Sequence, residues 1–186
     1  MDTLAYETTL EEDCMASEEH GAEDRGFEAF GRRYRSERAA IVSFIDKVRV
    51  AEKNAGEAFA AWAEMCRTEP IRTGLRMIAE REAYHSRVFQ RRLAELGGEE
   101  RATTTAEGRK FRDVLAARDL ADEEKLIYFT NHLGKPEDAV RDIRDLASRI
   151  RDDAGTREAL ELFAEDELST ARWLWHQRAE LPPRRP

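Results

Sequence analysis

Three glutamates and one histidine stand out because each interrupts an otherwise apolar helical seam. Glu82 and His85 are one helical turn apart, so on a helix both side chains project from the same face. Glu52 and Glu167 hold comparable mid-helix positions in two other predicted helices. Carboxylate oxygen combined with imidazole nitrogen suits iron, manganese or zinc better than calcium or magnesium. The pattern therefore predicts a transition-metal site built from these four residues.

The seams that carry these residues repeat in steps of three and four, as the buried face of a helix does. They consist of Ile45, Val48, Glu52, Ala55, Phe59, Trp62 and Cys66; then Leu75, Ile78, Glu82, His85, Phe89, Leu93 and Leu96; then Leu160, Phe163, Glu167, Thr170 and Leu174. The third seam superposes position for position on the first five residues of the second, which indicates a repeated helix hairpin. A buried carboxylate is costly unless it is protonated, ion-paired or bound to a metal.

Long helices must position these seams, since glycine (10) and proline (5) are scarce and good helix formers dominate. Ser36 is suited to an N-cap, Pro70 to the first turn of a helix, and Gly97 to a helix end. We predict helices over 36–67, 70–96, 110–118, 122–133, 136–152 and 156–180, a further short helix over 27–35, and no β-structure. The first two long helices are joined near Thr68. If they are antiparallel, Glu52 and Glu82 lie at similar distances from this connection and can face each other.

The string Glu82-Ala83-Tyr84-His85, with its flanks, resembles the Glu-x-x-His helix of ferritin-like and rubrerythrin-like proteins. The segment around Glu52, with Phe59 following, resembles the glutamate-bearing helix that precedes it in that family. The resemblance implies an all-α fold: a ferritin-like four-helix bundle of two helix hairpins, with short extra helices in the crossover connection. It also implies a di-metal centre with iron as the expected ion and manganese or zinc as alternatives.

The chain departs from that family pattern at several positions. Thr170 stands where the second Glu-x-x-His helix would carry its histidine, and threonine is a poor ligand for a divalent ion. The third long helix has no obvious glutamate in its seam, which leaves Glu137, Glu123 and Glu124 as candidates. Glu57 is an alternative to Glu52 in the first helix. These departures favour a site for one metal ion, or a vestigial site, over a complete di-metal centre.

A second interpretation needs no metal, because an arginine could neutralise the buried acids instead. The candidates are Arg72, Arg76, Arg81, Arg87 and Arg172. The protein would then be a non-catalytic helical-bundle interaction or stress-associated protein that keeps the ferritin-like fold. The sequence assigns no catalytic residue in either case, since it contains no phosphate-binding glycine loop and no nucleophile elbow.

Composition restricts the partners. The net charge of −8 disfavours nucleic acid, whose phosphates require a basic face. No stretch reaches the roughly 20 apolar residues of a membrane helix, so we expect no membrane partner and a cytoplasmic location. A homodimer is compatible with the pattern. We expect residues 1–25 to be an acidic, disordered arm, 26–181 to be the bundle, and 182–186 to be a short tail.

Overall fold

The computed structural model describes residues 26–181, so the predicted arm and tail lie outside the described residues. The described chain is all-α apart from one small hairpin. Its elements are β1 (Phe27–Ala29), β2 (Arg32–Tyr34), α1 (Glu37–Met65), α2 (Glu69–Glu95), α3 (Ala106–Leu115), α4 (Asp122–Leu133), α5 (Pro136–Ala139), α6 (Arg141–Arg149) and α7 (Ala154–Ala179). Within this part of the chain, no helix is long and apolar enough to cross a membrane.

The short helix predicted over 27–35 is wrong, because these residues form the antiparallel hairpin β1–β2. Ala29 pairs with Arg32, which leaves Phe30 and Gly31 as a two-residue turn. Both turn residues have positive φ (53° and 66°), the backbone of a hairpin turn that glycine adopts easily. The Phe30 ring stacks on Phe44 of α1 at 5.1 Å, a tertiary contact that holds the turn in place.

Helices α1 and α2 form a tightly packed hairpin with the predicted ends. Ser36 Oγ accepts from Ala39 N at 3.1 Å, and Gly97 ends the second helix with a φ of 61°. The helices approach closely at Gly56, where an added Cβ would lie 3.2 Å from the backbone of Ala79 and of Ala83. Gly56 lies one helical turn from Glu52, and Ala79 and Ala83 lie on either side of Glu82 in the sequence. This close approach therefore sets the distance between the two backbones that carry the carboxylates.

The helix predicted over 136–152 is interrupted at Val140, which has a φ of −108° and separates α5 from α6. The Val140 side chain is fully buried in the apolar core, so tertiary packing overrides the helical continuity that the sequence suggests. Together α4, α5 and α6 lie along α7 in the opposite direction. Three contacts mark this path: Arg178 to Thr130, Trp175 to the Gly134 carbonyl, and Arg144 to Glu165.

The core consists of two apolar clusters at opposite ends of the helices. One contains Ile41, Ile45, Val48, Phe89, Leu93, Val140, Leu146, Ile150, Leu160 and Leu168. The other contains Phe59, Trp62, Ile71, Leu75, Ile78, Leu126, Phe129 and Leu174. Between them α1, α2 and α7 contribute buried polar residues instead, namely Glu52, Glu82, His85 and Thr170. The polar interruptions of the seams therefore form one layer in the middle of the molecule.

Candidate metal centre

The structure brings the four predicted site residues together. Glu52 comes from α1, Glu82 and His85 from α2, and Glu167 from α7. One ligand atom from each residue lies within 4.8 Å of every other. Glu82 is 2% exposed, His85 4% and Glu52 7%, whereas the Glu167 side chain is 22% exposed, so the group is buried on three sides and reaches the surface at Glu167.

The His85 Nδ1 atom is nearly equidistant from three carboxylates. It lies 3.5 Å from Glu52 Oε2, 3.7 Å from Glu82 Oε2 and 3.6 Å from Glu167 Oε1. These separations are too long for good hydrogen bonds. They are close to the ~3.4 Å that separates neighbouring ligand atoms when an ion is bound tetrahedrally by bonds of about 2.1 Å. The separations between His85 and the three carboxylates are thus compatible with ligands around a shared centre.

Three of these atoms are buried and have no hydrogen-bond partner: Glu52 Oε2, His85 Nδ1 and Glu167 Oε1. Buried polar atoms are rarely left unsatisfied in folded proteins, and each exception needs a physical explanation. A cation bound between the three would satisfy all of them at once. The donor set, three carboxylates and one imidazole, fits a transition-metal ion.

Burial and mutual repulsion set the protonation of the acids. Burial, the charge of Glu167 and that of Glu82 raise the pKa of Glu52 well above its ordinary value. Burial and the charge of Glu82 likewise raise the pKa of Glu167. Burial also acts to raise the pKa of Glu82, but its interactions with Glu52, His85 and Glu167 outweigh burial and lower that pKa. Without an ion, the three acids therefore titrate as a coupled group, in which burial favours protonated Glu52 and Glu167.

The opposite ring nitrogen of His85 has a partner that the sequence analysis missed. Asp166 Oδ2 lies 3.0 Å from His85 Nε2, at the half-exposed edge of the site. An Nε2–H that donates to this carboxylate leaves the Nδ1 lone pair directed at the three glutamates. The sequence feature that could have indicated Asp166 is its position directly before Glu167. The sequence alone does not show which helix the Asp166 side chain faces.

Arg81 is the arginine that accompanies the acids. Its Nη2 donates to Thr170 Oγ1, and its Nη1 lies 3.9 Å from Asp166 Oδ1. The Thr170 hydroxyl in turn donates a long hydrogen bond of 3.5 Å to Glu82 Oε1. Thr170 thus connects Arg81 to the cluster. Two of the other candidate arginines pair elsewhere, since Arg72 contacts Glu69 and Arg172 contacts Glu137.

The alternative ligands lie away from the cluster. Glu57 is exposed and lies 3.5 Å from Arg112, so the structure places Glu52 and not Glu57 in the buried group. Glu137 is also exposed and pairs with Arg172 at 3.1 Å. The Glu124 carboxylate accepts from Ala121 N at the start of α4, and Glu123 is not part of the four-residue group. The helical segment 122–149 therefore adds no carboxylate to this centre.

Comparison with known proteins gives no match to a family model, to a curated protein or to a solved structure. Inferences about the centre therefore depend on its own residues: their chemistry, their spacing and their burial.

Proposed function

We propose that this chain is a ferritin-like metal-binding protein with a transition-metal site at Glu52, Glu82, His85 and Glu167. Iron is the ion we expect first, followed by manganese, with zinc as a further alternative. The observation that carries the proposal is the convergence of unsatisfied buried ligand atoms from three helices on one point. A purely structural polar cluster would be expected to pair those atoms within the protein, and no such hydrogen bond is present among the described residues.

The course of the helices supports the ferritin-like part of the proposal. Contacts between α2 and α7, such as Arg92 with Asp153 near one end and Arg81 with Thr170 further along, show that they are antiparallel. The interrupted segment α4–α6 is antiparallel to α7 as well, and α3 lies in the long connection that precedes it. Two hairpins joined by one long crossover are the arrangement of ferritin-like bundles.

The residues have separable roles in binding an ion. Binding of a cation favours the ionised form of all three glutamates, so protons held on Glu52 and Glu167 are released when the ion binds. His85 supplies a neutral nitrogen donor, which Asp166 orients from its other side. Bound iron would supply redox chemistry toward dioxygen, peroxide or ferrous iron, and the buried position would keep bulk water away from it.

Metal content tests the proposal directly. We would purify the protein without a histidine tag and measure iron, manganese and zinc per chain, before and after reconstitution with ferrous iron. We expect bound metal in the wild type and its loss in the double variant Glu82→Ala/His85→Ala. Glu57→Ala is the matched control, because it removes an exposed glutamate from the same hairpin. Consumption of dioxygen or peroxide by the loaded protein would then assign an activity.

A metal content near zero per chain in the reconstituted wild type would contradict the proposal. The same holds if Glu57→Ala lost as much metal as the double variant, because the ion would then be bound non-specifically. The protein would then be better described as a non-catalytic interaction scaffold, and partner identification would follow.

A further inference from the structure

We propose that Arg81 is a fixed cation that restricts this centre to one divalent ion and weakens the binding of that ion. This inference rests on the proposed function, since it concerns the capacity of the same site. The side chain that limits the number of bound ions is not itself a ligand.

Arg81 is held beside the cluster by contacts on one side only. Its guanidinium donates to Thr170 Oγ1 and approaches Asp166 Oδ1, and both residues belong to α7. Its Nε atom is buried without a hydrogen-bond partner. The side chain is 26% exposed, so it is only partly buried. The guanidinium has donors but no acceptor, so it cannot become a ligand itself.

Charge balance indicates what this position does. With all three glutamates ionised and a neutral imidazole, the four ligands carry three negative charges, and Asp166, which contacts both His85 and Arg81, adds a fourth at the half-exposed edge. Without the guanidinium, two divalent ions would balance these four charges. With it, one divalent ion leaves one negative charge, whereas a second would give a largely buried site a net positive charge, which is unfavourable. The guanidinium therefore takes the charge that a second metal ion would otherwise supply.

The effect of the Arg81 charge on the neighbouring glutamates agrees with this charge balance. The positive charge of Arg81 acts to lower the pKa of both Glu52 and Glu167, although burial outweighs it. The same field that favours ionised glutamates repels an incoming cation. Thr170 completes the arrangement, because its hydroxyl accepts from Arg81 and donates to Glu82. A threonine at this position thus has a physical role in seating the guanidinium.

Isothermal titration with Mn²⁺ tests the inference on the metal-free full chain. We expect the wild type to bind one ion and Arg81→Gln to bind Mn²⁺ at least about tenfold more tightly, with a stoichiometry that rises above one ion. Arg81→Lys keeps the charge and should bind like the wild type. Arg76→Gln is the matched control, because it removes an equal charge from an exposed position of the same helix.

The outcomes separate the two proposals. A wild type that binds no Mn²⁺ or ferrous iron contradicts the metal site itself. A wild type that binds one ion, with Arg81→Gln unchanged in affinity and stoichiometry, leaves the metal site standing and overturns the role of Arg81. Thr170→Val is a second variant should Arg81→Gln fold poorly. It keeps the charge but releases the guanidinium, so we expect tighter binding by a smaller factor, and unchanged binding would contradict the inference.

Discussion

At the residue scale, the two nitrogens of His85 face different environments. Nδ1 lies among three buried carboxylates with no hydrogen-bond partner, whereas Nε2 contacts the half-exposed Asp166. A histidine that only stabilised the core would be expected to satisfy both nitrogens. In the proposed metal site, this asymmetry would make Asp166 a positioning residue, because a hydrogen bond from Nε2–H leaves Nδ1 free for an ion.

Asp166→Ala should weaken Mn²⁺ binding by roughly 10–100-fold, since the imidazole loses the partner that fixes its orientation and tautomer. Calorimetry gives the dissociation constant, and nitrogen NMR of His85 reports which ring nitrogen carries the proton. Glu165→Ala is the control, because that neighbouring acid is exposed and pairs with Arg144 at 2.6 Å. Unchanged affinity together with an unchanged tautomer would remove Asp166 from the centre.

The raised pKa of Glu52 predicts how the metal-free protein responds to pH. A raised pKa means that the native state binds more protons than the unfolded state above the ordinary glutamate pKa, so stability falls as pH rises through that window. We expect Glu52→Gln to stabilise the metal-free protein by about 1 kcal/mol or more near pH 8, while abolishing metal binding.

Urea unfolding with a chelator present, at about pH 5 and about pH 8, measures this effect through the free energy of unfolding. The gain should be smaller at the lower pH, which lies only just above the ordinary glutamate pKa, so that keeping a proton on Glu52 in the native state costs little there. Glu57→Gln should change little at either pH, because Glu57 is exposed. A Glu52→Gln variant less stable than the wild type near pH 8 would contradict the assignment.

At the element scale, small residues determine how closely the helices that carry ligands approach one another. Gly56 brings α1 against α2, and Gly74 allows the Trp173 indole of α7 to lie directly over α2. Both positions are within a few turns of the carboxylates. The spacing of Glu52, Glu82 and Glu167 therefore depends on residues that carry no polar side chain.

Gly74→Ala should destabilise the protein by about 1–3 kcal/mol, because its Cβ would lie 2.1 Å from Trp173 Cζ2 and the indole must move. Helix propensity alone predicts the opposite, a gain of about 1 kcal/mol. Gly155→Ala is the matched control, since the nearest heavy atom to its new Cβ is 3.7 Å away. Thermal and urea unfolding decide between the two effects, and a stabilised Gly74→Ala variant would contradict the packing described.

At the scale of the whole molecule, a bound ion would lie in the polar layer that separates the two apolar clusters. The layer costs stability when it is empty of cations, because burial opposes the ionisation of Glu52 and Glu167. Binding of an ion to the native state alone shifts the unfolding equilibrium by mass action. Fold stability and site occupancy are thus coupled.

A free metal concentration one hundred times the dissociation constant should stabilise the fold by about 2.7 kcal/mol. For a chain of this size the unfolding temperature should rise by roughly 5–10 °C. Since binding requires deprotonated Glu52 and Glu167, the affinity, and hence the shift at a fixed metal concentration, should be greater near pH 8 than near pH 6. Scanning calorimetry measures both, and an equal shift in Glu82→Ala/His85→Ala would show that the stabilisation arises elsewhere.

The amino-acid sequence determined the local features of this protein. The seams of α1, α2 and α7 and the ends of the α1–α2 hairpin follow from side-chain period, from the Ser36 cap and from Gly97. These signals are contained within a few helical turns, so no tertiary information is needed to find them. The same period identified Glu52, Glu82, His85 and Glu167. A polar residue within an apolar seam can be recognised from the sequence whatever the helix packs against.

Tertiary structure alone decided which groups surround those four residues. Asp166 contacts His85, and Arg81 reaches Thr170, because the axial offset between α2 and α7 places them at the same height. The hairpin of Phe27–Tyr34 and the break at Val140 likewise depend on contacts with distant parts of the core. Helix period fixes the face on which a residue lies, but packing between helices fixes its neighbours, and those neighbours set the charge around the four residues.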